Sequence, residues 1–271
     1  MSLNWINPED YSFNALLLME RFQIDLMVNS CGWRNNDEEW KRNMGVALNA
    51  SPAVKWYLTH RCPECVSFLE ELCKSAPKIT DPEAVRRAEV YILGSVEDFT
   101  IYTTPEKMAE SCDFIRGWDK KHLFDLADLN GKTVLDVGAG SGRLAFAAAE
   151  KADWVYASEP VGTLRAFMRD KIARERISNI RVVDGFVESL PYPDDTFDVV
   201  MSGHVMGDDY GRETAELTRV CKNGGWLLEC PGDSLWDIKP KPELTARGWE
   251  EVYYTGSFGK DVYTYRKQVK K

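Results

Sequence analysis

Residues 134–142 read Val-Leu-Asp-Val-Gly-Ala-Gly-Ser-Gly, an apolar run that passes directly into a glycine loop. Thr133 to Val137 reads as a buried strand and Arg143 to Lys151 as a helix. Glycines at 138, 140 and 142 allow a tight turn and the close approach of a ligand, because no Cβ stands in the way. The N–H groups that open the following helix have no helical partner and favour a polar or anionic ligand group. Spacing decides which ligand. A dinucleotide fingerprint needs a small residue three positions after its second glycine. Counting from Gly138 and Gly140, that position is Arg143. The pattern here is acid-x-G-x-G-x-G, with Asp136 two residues before the first glycine.

Downstream segments extend the pattern. Trp154 to Ser158 reads as a second buried strand, and Glu159 at its tip falls 23 positions after Asp136. A carboxylate there can accept hydrogen bonds from both hydroxyls of a ribose; the competing reading is an exposed acid at a strand end. Val182 to Val200 reads Val-Val-Asp-Gly-Phe-Val-Glu-Ser-Leu-Pro-Tyr-Pro-Asp-Asp-Thr-Phe-Asp-Val-Val. Lys222-Asn223-Gly224-Gly225 leads into Trp226-Leu227-Leu228. In this order the four segments resemble the class I S-adenosylmethionine-dependent methyltransferases. The likeness is nearest to the small-molecule branch with the ubiquinone and menaquinone C-methyltransferases, and it covers about residues 120 to 271.

The resemblance implies S-adenosyl-L-methionine as cofactor and S-adenosyl-L-homocysteine as product. It implies a cofactor pocket of Asp136, Gly138, Ala139, Gly140, Ser141, Glu159, Pro160, Gly185, Phe186, Val187 and Ser202. In that branch an Asp four residues before the Leu-Pro pair contacts the adenine; here Phe186 stands there, which leaves Asp184 in doubt. The segment ahead of the glycine loop folds over the methionine part in similar enzymes, so Tyr102 and Trp118 are candidates to pack on it. Core aromatics at a domain junction are the alternative.

Length and pattern predict two regions. Strands near 133–137, 154–158, 179–183, 197–202 and 225–230 alternate with helices near 142–151, 160–176 and 210–221. A short helix near 241–247 and strands at Trp249–Tyr254 and Asp261–Lys267 follow. Such alternation gives an α/β fold with a mainly parallel sheet and helices on both faces. The expectation is a Rossmann-like, seven-stranded sheet over 121–271, closed by an antiparallel hairpin. Residues 1–120 read as an N-terminal helical cap. Its helices are Asn14–Val28, Asp37–Leu48, Pro52–His60, Pro63–Cys73, Pro82–Val96 and Pro105–Ile115, with Ser51, Asp81 and Thr104 as caps before prolines. Phe22, Trp33, Trp40 and Trp56 are expected to bury against the catalytic domain or against a second subunit, the latter giving a homodimer.

Methyl transfer gains most from aligning nucleophile, carbon and sulfur. Acid-base help matters where the acceptor must lose a proton. The segment after the fourth strand, Ser202-Gly203-His204-Val205-Met206-Gly207-Asp208-Asp209-Tyr210, supplies the candidates. His204 is the candidate base, since imidazole titrates near neutrality. Asp208 could orient it, while one of Asp208 and Asp209 caps the next helix.

A net charge of −9 opposes binding to nucleic acid, whose counterions must be displaced by a basic surface. The sequence has neither an apolar run that spans a membrane nor a charged-then-apolar leader, so a cytoplasmic protein acting on a small molecule is expected. Seven cysteines are an odd number and fit reduced thiols. His60, Cys62, Cys65 and Cys73 could supply zinc ligands. Cys65, Leu69, Leu72 and Cys73 also share one helical face, and the expectation is no metal. The competing functions are a nicotinamide-dependent oxidoreductase, against which Arg143 speaks, and a protein that binds the cofactor without turnover.

Overall fold

The computed structural model describes residues 5–30, 37–233 and 238–271; Trp33 lies outside them. The chain divides into two compact units, Met1–Met108 and Ala109–Lys271.

The first unit is helical. Its main helices are α1 (Glu38–Ala50), α2 (Pro52–Arg61), α3 (Val66–Ser75), α4 (Pro82–Ser95) and α5 (Pro105–Ser111). α1 to α4 close on a core that includes Trp40, Met44, Leu48, Leu58, Leu69 and Ile92. Trp40 is thus spent inside this unit, whereas Trp56 is 62 % exposed and stacks on His60. A Cβ on Gly45 would lie 2.3 Å from the Leu72 carbonyl oxygen, so glycine permits the close approach of α1 and α3.

Three local expectations need correction. The helix expected over Asn14–Val28 is broken. Phe13–Leu18 forms a 3-10 turn, and a new helix opens at Arg21, where Glu20 and Gln23 make reciprocal capping bonds. Ser51 makes no capping bond. Its hydroxyl donates to Glu89, 3.4 Å away, and the proline behind it suffices to start α2. Asp81 does cap α4, accepting from the amides of Glu83 and Ala84. The third correction is the end of α5, which stops at Ser111 rather than Ile115.

The second unit holds a seven-stranded sheet in the order β3-β2-β1-β4-β5-β7-β6. The strands are β1 (Thr133–Val137), β2 (Trp154–Ser158), β3 (Ile180–Val183), β4 (Phe197–Ser202), β5 (Cys221–Glu229), β6 (Glu250–Thr255) and β7 (Asp261–Gln268). Between them run α6 (Arg143–Ala148), α7 (Gly162–Glu175) and α8 (Tyr210–Val220). β1 to β5 are parallel, and β7 is inserted antiparallel between β5 and β6. This is a Rossmann-like architecture. Alternate residues of each strand feed opposite faces: Val134, Val155 and Met201 enter one apolar cluster, Leu135, Val137 and Val200 the other. β5 starts four residues earlier than its sequence pattern shows. The chain leaves α8 directly into the strand, and Gly224 at φ +81 absorbs the irregular register opposite Phe197–Val199. No described helix is long and apolar enough to cross a membrane.

The order reverses at β1. The chain builds outward through β2 and β3, then crosses to β4 and β5 on the other side of β1. Ligands of open α/β sheets bind at the carboxyl ends beside such a switch point. Asp136, the glycine loop, Glu159 and Ser202 lie at or next to those ends.

Candidate cofactor site

The loop after β1 needs its glycines. Gly138, Gly140 and Gly142 have φ of 63, 58 and 92°. A Cβ on Gly138 would stand 2.2 Å from the Val205 side chain, so the loops after β1 and β4 touch through that missing atom. The Ala139 amide donates to Ser158 O at 3.0 Å, and that of Gly142 to Ala139 O at 2.8 Å. Ser141 is nearly buried at the mouth of α6.

Glu159 ties two loops together. Its Oε2 accepts the Gly140 N–H at 2.8 Å, and its Oε1 accepts the Val161 N–H at 2.9 Å. The side chain is buried, and that desolvation raises its pKa to about 7 despite both amides. Each carboxylate oxygen keeps acceptor capacity for a further donor. Arg165, which sequence reasoning missed, donates to Glu159 O at 2.7 Å and to Asp184 Oδ1 at 3.2 Å. Asp184 is therefore drawn to the exposed ion pair. The Arg165 signal, a cation in the first turn of the helix after an acidic strand tip, is too common to be diagnostic.

Asp136 is also buried, and desolvation raises its carboxyl to about 7 against the opposing pull of Arg143. Its Oδ2 has no hydrogen-bond partner. Arg143 donates from Nη2 to Cys230 O at 2.7 Å and Pro231 O at 3.1 Å, and its guanidinium lies 4.4 Å from the centre of the Trp118 ring. A face of Trp118 is thereby given to Arg143. Arg143 Nη1 is buried without a partner. Asp136 Oδ2 and Arg143 Nη1 are thus two buried polar atoms of opposite sense without a hydrogen-bond partner.

Gly185 sits where a Cβ would press on Pro191, 2.9 Å away, and on Ser158 Oγ, 3.1 Å away. Phe186 beside it is 45 % exposed and bridges to Ser189. Val187 is half-buried against the second apolar cluster, and Pro160 is half-buried after Glu159. Ser202 is buried and donates to Glu229 Oε2 at 2.5 Å. Tyr102 lies on the Ile101–Thr103 turn of the first unit, while the other candidates lie in the second.

The loop after β4 presents His204 to solvent with a left-handed backbone, φ 64°, its ring tilted against Phe114 at 4.5 Å between centroids. Asp209 caps α8, its Oδ1 accepting from Gly211 and Arg212 at 3.0 Å each. Asp208 is exposed. Its amide and those of Gly207 and Asp209 all donate to the buried carboxylate of Glu213. Glu213 was not among the sequence candidates, because its role depends on the chain folding back one helical turn.

Residues 134–225, about a third of the chain, match the model of a methyltransferase domain. A demethylmenaquinone methyltransferase of Shouchella clausii is 32 % identical over 128 residues, covering 42 % of this chain and 50 % of that protein. The ubiquinone/menaquinone biosynthesis C-methyltransferase of a Marinomonas species is 29 % identical over 142 residues, covering 50 % and 55 %. An uncharacterised protein of Mycobacterium bovis is 31 % identical over 148 residues, covering 49 % and 54 %. The chain thus spans about half the length of the curated relatives it matches. Among solved structures, a candidate S-adenosyl-L-methionine-dependent methyltransferase from Methanococcus maripaludis superposes with a TM-score of 0.50 at 16 % identity, covering 63 % of this chain and 92 % of that one. At that identity the likeness speaks for the fold.

Proposed function

Since residues 134–225 are a methyltransferase domain of the class I S-adenosylmethionine-dependent kind, we propose that this chain transfers a methyl group to a small-molecule acceptor by direct displacement. Glu159 carries the reading. A buried carboxylate that grips the Gly140 amide from the tip of β2 has acceptor capacity left for the two ribose hydroxyls. Asp136 and Arg143, with an unpartnered acceptor and an unpartnered donor, suit the ammonium and carboxylate of the methionine part. Phe186 offers an exposed ring to the adenine.

When bound, S-adenosylmethionine supplies an electrophilic methyl on a sulfonium and leaves as S-adenosylhomocysteine. The protein's part is alignment. The packing of Gly138 against Val205 fixes the β1 loop relative to the β4 loop, and so fixes His204 relative to the cofactor. His204 takes the proton of an acceptor that must ionise. The net charge of −9 favours a small acceptor over a nucleic acid. Arg143 weighs against a nicotinamide enzyme, because its side chain fills the position where that fold needs a small residue.

The test is isothermal titration with S-adenosylmethionine, S-adenosylhomocysteine and NAD, followed by assay of S-adenosylhomocysteine formation against fractionated metabolites. Binding of the two sulfur compounds and turnover in at least one fraction, with the binding weakened in Glu159→Ala, is expected. Binding without turnover in any fraction would leave a cofactor-binding protein. Binding of NAD alone would overturn the reading.

A further inference from the structure

The Cys62-Pro63-Glu64-Cys65 turn lies in the helical unit, outside the methyltransferase domain. It joins the end of α2 to a 3-10 turn, Pro63–Cys65, that runs into α3. The Cys65 amide donates to Cys62 O at 3.0 Å, so one tight turn holds both residues. It brings the two sulfurs to 2.6 Å from each other. Both side chains are fully buried in the core of the unit, and a carboxylate oxygen of Asp25 lies within 4.8 Å of both sulfurs. At this turn Arg21 pairs with Glu64 at 2.7 Å, an ion pair with both side chains exposed.

Two chemistries use a C-x-x-C turn, a metal ion and a disulfide. The ion is the poorer fit. Among the described residues the cluster offers three ligands, where a structural zinc takes four. Two zinc–sulfur bonds of about 2.3 Å at a tetrahedral angle hold their sulfurs roughly 3.7 Å apart. An ion would therefore drive these sulfurs apart by about an ångström within a close-packed core. A sulfur–sulfur bond asks for a smaller movement in the opposite sense. The Asp25 carboxylate also opposes accumulation of thiolate, which suits a pair that resolves at once to a neutral product.

We propose that Cys62 and Cys65 form a reversible disulfide, a two-electron oxidation site for hydrogen peroxide. The Cys62 sulfur attacks the peroxide oxygen, giving a sulfenic acid and one water. The Cys65 sulfur then displaces the hydroxyl from the Cys62 sulfur, forming the S–S bond and releasing a second water. The two thiols lose two hydrogens and two electrons, and both peroxide oxygens leave as water. Burial raises both thiols; Cys62 attacks first because the Cys65 S–H offsets part of that rise at its sulfur, whereas the bond to Cys62 and the nearby carboxylates raise Cys65 further.

The experiment treats the reduced full chain with hydrogen peroxide, quenches in acid, unfolds, alkylates with iodoacetamide and maps the cysteines by mass spectrometry. The expected product is a peptide with Cys62 and Cys65 unalkylated and two hydrogens lighter, with the five other cysteines alkylated, and full recovery after dithiothreitol. In Cys65→Ser, dimedone should label Cys62, a label absent from the wild type. The wild-type map decides even if that variant does not fold. Full alkylation of both cysteines after methionines have oxidised would overturn the proposal. So would a bridge to any other cysteine, or one equivalent of zinc in the purified protein that is lost in Cys62→Ser.

Discussion

The carboxylate of Glu159 bonds the Gly140 amide at 2.8 Å across the tips of β1 and β2, and its other oxygen bonds Val161 at 2.9 Å. One side chain thus holds the glycine loop to the segment after β2. Glu159→Ala should weaken S-adenosylhomocysteine binding by roughly 10- to 100-fold, the value of one to two charge-assisted hydrogen bonds at ~1.5 kcal/mol each. Calorimetry measures this directly. An affinity within twofold of the wild type would show that the ribose sits elsewhere.

The two buried acids make stability depend on pH. Asp136 and Glu159 titrate from 3.8 and 4.5 when unfolded to about 7 when folded, chiefly because burial disfavours their charge. Between those values the folded state holds more protons than the unfolded one, so stability falls as pH rises from about 4.5 to about 7 and levels beyond. Carboxylates held low, such as Glu216 beside Arg219 and Asp198 beside Lys222, act at or below the lower end of this window. A thermal-midpoint series from pH 5 to 7.5 on the ligand-free protein should slope downward. Asp136→Asn with Glu159→Gln should flatten it, and an unchanged slope in the double variant would refute the assignment.

Arg143 is held by groups that sequence spacing does not reveal. Its bonds reach Cys230 O and Pro231 O, and its guanidinium lies on Trp118. Arg143→Lys keeps the charge but loses the planar fork and the stacking. The cost should be roughly 2 kcal/mol, or a midpoint lowered by about 4–8 °C for a unit of this size. Differential scanning calorimetry reads it, and an unmoved midpoint would mean that the contact is incidental.

The contrast between Glu159 and Arg143 marks what the sequence makes legible. The five parallel strands are visible in it because buried parallel strands read as apolar runs, and β6 and β7 because they are rich in β-branched and aromatic residues around a glycine turn. Asp136, Gly140 and Glu159 are visible because they occupy strand ends, and strand ends meet at the switch point whatever the loops do. Arg143 reads as an obstruction to a dinucleotide, but its partners come from the β5 end and from the segment before β1, which only the folded sheet brings to it. The expected Asn14–Val28 helix fails for a local reason. Its apolar residues keep a helical period across Met19, but Glu20 and Gln23 form a capping box that starts a helix anew. Period outweighed punctuation in the sequence reading, and side-chain capping decided in the fold.

Glu213 offers the sharpest separation of binding from turnover. Its buried carboxylate gathers the amides of Gly207, Asp208 and Asp209 at 3.0–3.1 Å, and so fixes the loop that starts with His204. Glu213→Ala leaves those three donors without their acceptor, at a cost of about 1–3 kcal/mol. Glu213→Gln keeps one acceptor oxygen but turns an amide N–H₂ toward donors, so it should recover only part. If His204 works at the acceptor, kcat should fall at least tenfold in Glu213→Ala and less in Glu213→Gln. S-adenosylhomocysteine affinity, which the proposed function assigns to Glu159 on the far side of β1, should hold within about twofold, because sites without shared partners behave nearly additively. Parallel loss of affinity and kcat would instead make Glu213 a support of the whole sheet edge, and the β4 loop would lose its separate claim on the chemistry.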